Sequence, residues 1–239
     1  MTALLRYQTA ILLRSHRWIF PLIGYALLIA VGAAGSTSLA ETLDWSGAML
    51  VPVVAFLTRA MLTAEPDAAR ACVAAAADPV RAQFATLIVP LGVGAVLGLA
   101  AAVFDVLTAE AAANTPASGL QGKLTAALDH PGIVLGGLLI ALVCLCVGSA
   151  AGALCNPPLL RHPAAAMLST LAAIILALAA GVSPANAAIS HNTAQAANPL
   201  AANWPGTGAL VGAACLLAVT WGVSVLAATR RDNWSVSSG

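Results

Sequence analysis

The chain has 239 residues, of which 60% are hydrophobic and 8% charged, and its mean hydropathy is +0.92. A soluble domain carries about 25% charged residues, so this composition excludes a water-soluble enzyme and a solvated disordered chain alike. Ten Lys and Arg against nine Asp and Glu leave a net charge of +1, with no basic excess to neutralise a nucleic-acid backbone.

The N-terminal stretch LLRYQTAILLRSHR, residues 4–17, places Arg6, Arg14 and Arg17 within about 80° of one another on a helical wheel. Leu4, Leu5, Ile11 and Leu12 fall roughly opposite, while Leu13 blurs the pattern. Residues 1–17 are therefore expected to form an interfacial helix, with arginines at anionic headgroups and leucines in the acyl boundary. A secretory leader is not expected: the basic segment and the apolar stretch are too long, and no cleavage signal follows.

Charge-free stretches predict membrane spans at about 18–40, 82–104, 131–155, 163–183 and 207–229. Each supplies the roughly 20 residues that cross about 30 Å of hydrocarbon. A sixth, at about 45–63, contains Arg59, and its uncharged part, Trp45 to Thr58, reaches only about 21 Å. A central Arg costs about 2.5–3.5 kcal/mol, but one near a span's end extends its guanidinium to the headgroups. Arg59 has two readings, a snorkelling anchor or a charge facing the bundle interior or a partner.

Counting six spans puts Arg6, Arg14, Arg17, Arg59, Arg70, Arg81, Arg161, Arg230 and Arg231 on one side and Lys123 alone on the other. Basic segments stay cytoplasmic, so both termini and the segments 64–80 and 156–162 are predicted inside. Segments 41–44, 105–130 and 184–206 are predicted outside, with Asp105 near the outer end of span three and hydrated. Trp18, Trp45 and Trp204 fall at span ends, as interfacial anchors do.

Between spans two and three, a short helix is expected over 66–77, with Pro66 in its first turn, Asp67 complementing the dipole and Asp78-Pro79 ending it. Asp78 is expected to cap the following span. About twelve residues make a marginal helix in water, so this one is expected to lie on the lipid surface or on a cytoplasmic partner. Residues 184–206, rich in Ala, Asn and Pro, read either as an outer segment re-entering the membrane or as a compact surface loop. Residues 105–130 read as a polar loop.

Glycines recur four apart at 94 and 98, 132 and 136, 148 and 152, and 208 and 212, which implies close helix approach within the chain or between copies. Four of the five cysteines (144, 146, 155 and 215) lie in predicted spans and Cys72 does not, so no disulfide framework or metal site is expected. ASGLQGKLT at 117–125 lacks the first glycine and the hydroxyl of a phosphate loop. No Ser/His pair is arranged for hydrolysis, and Glu41, Asp44, Asp105, Glu110 and Asp129 gather at the outer rim rather than at the midplane a proton carrier uses. No catalytic residue, metal or cofactor is expected in this chain, and any ATP-driven role needs a separate polypeptide.

The order of elements, with the wording LLRYQTAILLRSHRWIFPLIGYALLI, AARACVAAAADPVRAQ, GSAAGALCNPPLLRHP and SPANAAI, resembles the membrane (permease) subunits of ABC-2 type exporters, actinobacterial ones in particular. The resemblance covers nearly the whole chain and rests on architecture and fragments rather than an invariant signature. It implies an all-α polytopic protein of the bacterial plasma membrane, residues 1–239 forming one transmembrane domain with both termini cytoplasmic. It makes 66–77 a coupling helix docking on a separate ATP-binding cassette ATPase, which would bind ATP and Mg. Glu65, Pro66, Asp67, Arg70, Asp78 and Arg81 would form that interface. Arg6, Arg14 and Arg17 would belong to the connecting helix at the membrane surface, among lipids, and 184–206 to the outer re-entrant helices.

Two copies of the chain with two ATPases would form one exporter of a lipophilic compound, such as an antibiotic or drug, a lipid or a hydrophobic peptide. The short inner segment NPPLLRHP and the lack of a large outer domain depart from larger members, which puts docking through that second segment in doubt. The alternative is a non-transporting membrane protein that binds or sequesters such a compound, as an immunity protein or scaffold does.

Overall fold

A computed structural model describes residues 2–35, 39–108, 131–155, 162–195 and 205–237. Its helices are α1 (Thr2–Ser15), α2 (Ile19–Gly35), α3 (Leu39–Ala64), α4 (Asp67–Ala77), α5 (Pro79–Thr108), α6 (Pro131–Leu154), α7 (Pro163–Ala179), α8 (Pro184–Gln195) and α9 (Thr207–Ser237). No strand occurs among the described residues, and the protein is all-α and polytopic. The helices α3, α5, α6, the run Ala164–His191 and Thr207–Ala227 are each long and apolar enough to cross a membrane. The bent pair α1 and α2, taken together, makes a sixth.

Contacts show that successive spans alternate in direction. Arg17, before α2, meets Thr63 at the end of α3, while Leu28, well along α2, meets Trp45 near the start of α3. Gln83 at the start of α5 bonds Ser224 late in α9, and Trp221 of α9 bonds Ser149 late in α6. At the opposite end, Leu43 of α3 lies against Gly137 of α6, and Pro184 against Gly212 of α9. One end of the bundle therefore gathers Arg17, Arg59 and Arg81, and the other gathers Glu41, Asp44 and Asp105.

The core is built on α3, which packs most extensively on α6 and then on α5. Val51, Val54, Ala55 and Thr58 of α3 are wholly buried. Glycines set the approach. A Cβ at Gly148 would stand 2.6 Å from Val51 O, and one at Gly152 2.7 Å from Ala55 O, so the α6 backbone lies directly on that of α3. Gly94 and Gly98 of α5 instead receive the side chains of Val54 and Leu50. A Cβ at Gly208 would meet nothing within 4 Å, so its spacing alone carries no packing.

Several boundaries differ from those expected of the sequence. The span expected from Trp45 begins at Leu39, so α3 has 26 residues and runs about 39 Å, and its end charges, Glu41 and Asp44, are helical. The first span is shorter than 18–40: α2 has 17 residues, about 26 Å, at the lower limit for a crossing. The N-terminal helix stops at Ser15, which leaves Arg17 in the turn before α2 rather than on the α1 wheel. His16 takes a positive φ of 54° there, a conformation His tolerates better than most side chains, and α1 and α2 meet at 77°. The α4 helix starts one residue late, with Pro66 at its N-cap.

Of the segment 184–206, the part to Gln195 is helix α8, joined to α7 through a break at Ala180–Ser183 where Asn186 Nδ2 donates to the freed Leu178 O at 2.6 Å. Residues 196–204 lie outside the described residues, as do 109–130 and 156–161, which include Lys123, Glu110, Asp129 and Arg161.

Candidate functional site

The arginine-rich end carries the residues singled out in the sequence, and α1 organises them. Its buried face is Leu5, Gln8 and Leu12, at helical spacing, with Leu12 packed on Met61 of α3 and Val89 of α5. Arg6 and Arg14 point outward and are exposed, as an interfacial helix requires. Trp18 donates its indole N–H to Leu13 O at 3.4 Å and packs beneath the elbow, so it joins α1 to the bundle.

Glu65, expected on a docking surface, is instead 8% exposed. Its carboxylate accepts from the Tyr7 hydroxyl at 3.1 Å and from Gln8 Nε2 at 3.5 Å, so it ties α1 to the junction of α3 and α4. Desolvation first, and then this hydrogen bond, raise the Tyr7 pKa above its ordinary value. Arg17 adds a second tie across the same junction, donating Nη1 to Thr63 O at 3.2 Å and to Thr63 Oγ1 at 3.4 Å. Gln8 was invisible as a core residue in the sequence because a lone amide on an amphipathic helix reads as a solvated position.

The remaining expected contacts are spread along α4 and the start of α5. Pro66 and Asp78 are exposed, and so is Arg81. Asp78 turns the chain with φ 72°, and its backbone carbonyl, rather than a side-chain cap, accepts from Ala82 N at 3.0 Å. The side chains of Asp67 and Arg70 lie outside the described residues. Ala68, Cys72, Ala75 and Ala76 face away from the bundle, so much of α4 is uncovered. Eleven residues make too short a helix to persist alone in water, and α4 leans only on α5 among the described elements.

A cleft of about 700 Å³ opens beside this end, between α2 and α3, with Met167 of α7 at its rim. Arg17, Arg59 and Thr63 stand at its charged end and Phe20, Tyr25, Leu28, Val53 and Phe56 among its apolar walls. Arg59 is half-buried in that wall. It thus stands near the end of the span, in the wall of a laterally open cleft.

The acidic end holds a feature that the sequence alone would place in water. Asp105 is fully buried, and neither carboxylate oxygen has a hydrogen-bond partner among the described residues. It shares the region with buried Ser46 and Tyr25, whose hydroxyl donates to Ser46 O at 3.2 Å. Trp45 also departs from a simple interfacial anchor. Its N–H donates to Leu28 O at 2.8 Å and its ring occupies the space left by Gly32, locking α2 to α3. No group of three His, Cys, Asp or Glu suited to a metal occurs among the described residues.

No protein-family model matches the chain, and no curated protein or solved structure matches it.

Proposed function

We propose that this chain is the membrane subunit of an ATP-driven exporter of the ABC-2 type in a bacterial plasma membrane, with the arginine-rich end cytoplasmic. The observation that carries the reading is α4, a short helix with an uncovered face of Ala68, Cys72, Ala75 and Ala76, between the second and third spans on the same end as the surface helix α1. A helix so short with such a face open calls for a covering partner, and an ATPase subunit is the partner the resemblance implies.

Glu65 and Arg17 supply the mechanical link this reading needs. They join α1, the end of α3 and the approach to α4 through hydrogen bonds, so a displacement of α4 is passed to α1 and to the α2 entry. ATP binding by paired ATPases would then bias the bundle between two arrangements, with no chemistry in this chain. The cargo is a lipophilic compound moved by two copies of the chain, in keeping with apolar walls and few interior charges.

The test is purification of the tagged chain in mild detergent from its native host, followed by mass spectrometry of what accompanies it. The expected result is an ATPase with a Walker motif, lost when Asp67→Lys and Arg70→Glu are combined. A chain that purifies without any ATPase overturns the exporter reading in favour of the passive binder.

A further inference from the structure

The cleft between α2 and α3 is bounded with economy. Along the turn before α2 and α2 itself its lining runs from Arg17 to Leu28, and along the antiparallel α3 from Thr63 back to Pro52. Each wall spans eleven residue steps, about 16 Å, which is half of a hydrocarbon core of about 30 Å. The cleft therefore covers the acyl depth of one leaflet, the one at the arginine-rich end. Its charged groups, Arg17 and Arg59, are at the surface end of that depth, and the walls beyond them are apolar.

It is also open to the side. Phe20 is 84% exposed and Met167 55% exposed, so the rim would face lipid rather than a neighbouring helix of the same chain. Gly24 lies in the wall with nothing within 4 Å of where a Cβ would stand, which leaves room for a chain to lie along α2. The volume of about 700 Å³ is within the range of small-ligand sites.

We propose that this cleft binds an anionic phospholipid from that leaflet, one acyl chain lying between α2 and α3 and the phosphate held by Arg17 at the charged end. Charge complementarity and the match to a single leaflet's depth identify the occupant: a neutral hydrocarbon brings no anion to the Arg17 guanidinium, a zwitterionic headgroup sets a quaternary ammonium beside it, and a free phosphate leaves the walls empty. Arg17 suits the role because a planar guanidinium presents several donors to phosphate oxygens, and its bonds to Thr63 use Nη1 alone. The site stands independently of transport, since a passive membrane protein with the same cleft would bind the same lipid.

The experiment uses the full chain, delipidated in detergent and titrated with phosphatidylglycerol or phosphatidylcholine carrying the same acyl chains, with binding read by native mass spectrometry. Phosphatidylglycerol is expected to bind at least about tenfold more tightly, a difference of about 1.4 kcal/mol. Gly24→Leu fills the cleft without touching an arginine and is expected to weaken phosphatidylglycerol at least about tenfold while the melting temperature stays at the wild-type value. Arg17→Gln is expected to remove most of the preference for the anionic lipid. Equal affinity for the two lipids overturns the proposal, as does a Gly24→Leu chain that binds as the parent does. Displacement of phosphatidylglycerol by an equal concentration of inorganic phosphate also overturns it, in favour of a surface anion site.

Discussion

The seam between α3 and α6 and the flank formed by α2 are built on opposite terms. On the seam, two backbones touch: Gly148 and Gly152 leave no room for a Cβ, and the facing Val51, Val54 and Ala55 are sealed from solvent. On the flank, α2 exposes Phe20, Ile23, Leu27 and Val31 and meets α3 through Tyr25, Ile29 and Trp45, with a cleft between them. The flank helix α2 is more apolar than α3 of the seam, so hydrophobicity does not explain which faces are close-packed. Residue size does. In lipid there is no hydrophobic drive between helices, and close van der Waals approach at small residues decides which faces meet. The bundle thus has a fixed half, where shape is complementary within one chain, and an open half, where shape is left for lipid or a second copy to complete.

Gly148→Leu breaks the comparison most severely. The new side chain meets the Val51 backbone, which cannot move aside, and a loss of at least about 3 kcal/mol is expected. Thermal unfolding in detergent should show little folded protein, and a wild-type melting temperature would mean that the seam is not close-packed.

Glu65→Ala has a smaller and more local effect. It strips the acceptor from Tyr7 and from buried Gln8, at about 1–3 kcal/mol. Because α1 is held at the edge of the bundle, the loss should appear as faster proteolysis or thiol labelling of Leu12→Cys on α1. Unchanged protection of that position would refute the tie.

The smallest effect is expected from Trp45→Phe, which keeps a ring at Gly32 but removes the hydrogen bond to Leu28 O, at about 0.5–1.5 kcal/mol. Hydrogen exchange of the α2 amides is the sensitive readout. It should rise in α2 and not in α6, and a uniform rise would show the flank to be as integral to the core as the seam.

The spans were legible in the sequence where a charge-free run coincided with a helix. The start of α3 was not, because Glu41 and Asp44 stop such a run although both sit in helix, and Asp44 is buried. The arginine parity brought Arg17, Arg59 and Arg81 to one end as expected, yet a helical wheel drawn through residue 17 assumed a continuous helix that the elbow at His16 interrupts. Four-residue glycine spacing was equally clear in all four pairs, but only the partner surface decides its use: pairs 94/98 and 148/152 receive α3, whereas Gly208 faces open space. Likewise nothing in the chain order told that Glu65 turns inward to α1, because the donors it accepts from, Tyr7 and Gln8, lie 58 and 57 residues away.

Sequence distance matters still more for the seam itself. Val51 and Gly148 are separated by about a hundred residues, which a ribosome adds at about 5–20 per second. During biogenesis α3, with Asp44 near one end and Arg59 near the other, must therefore wait about 5–20 s in the bilayer or at the insertion machinery before the helix that fits it is made. A chain arrested before Pro131 would hold α3 without that partner, with Val51 and Ala55 lacking the glycine face that receives them.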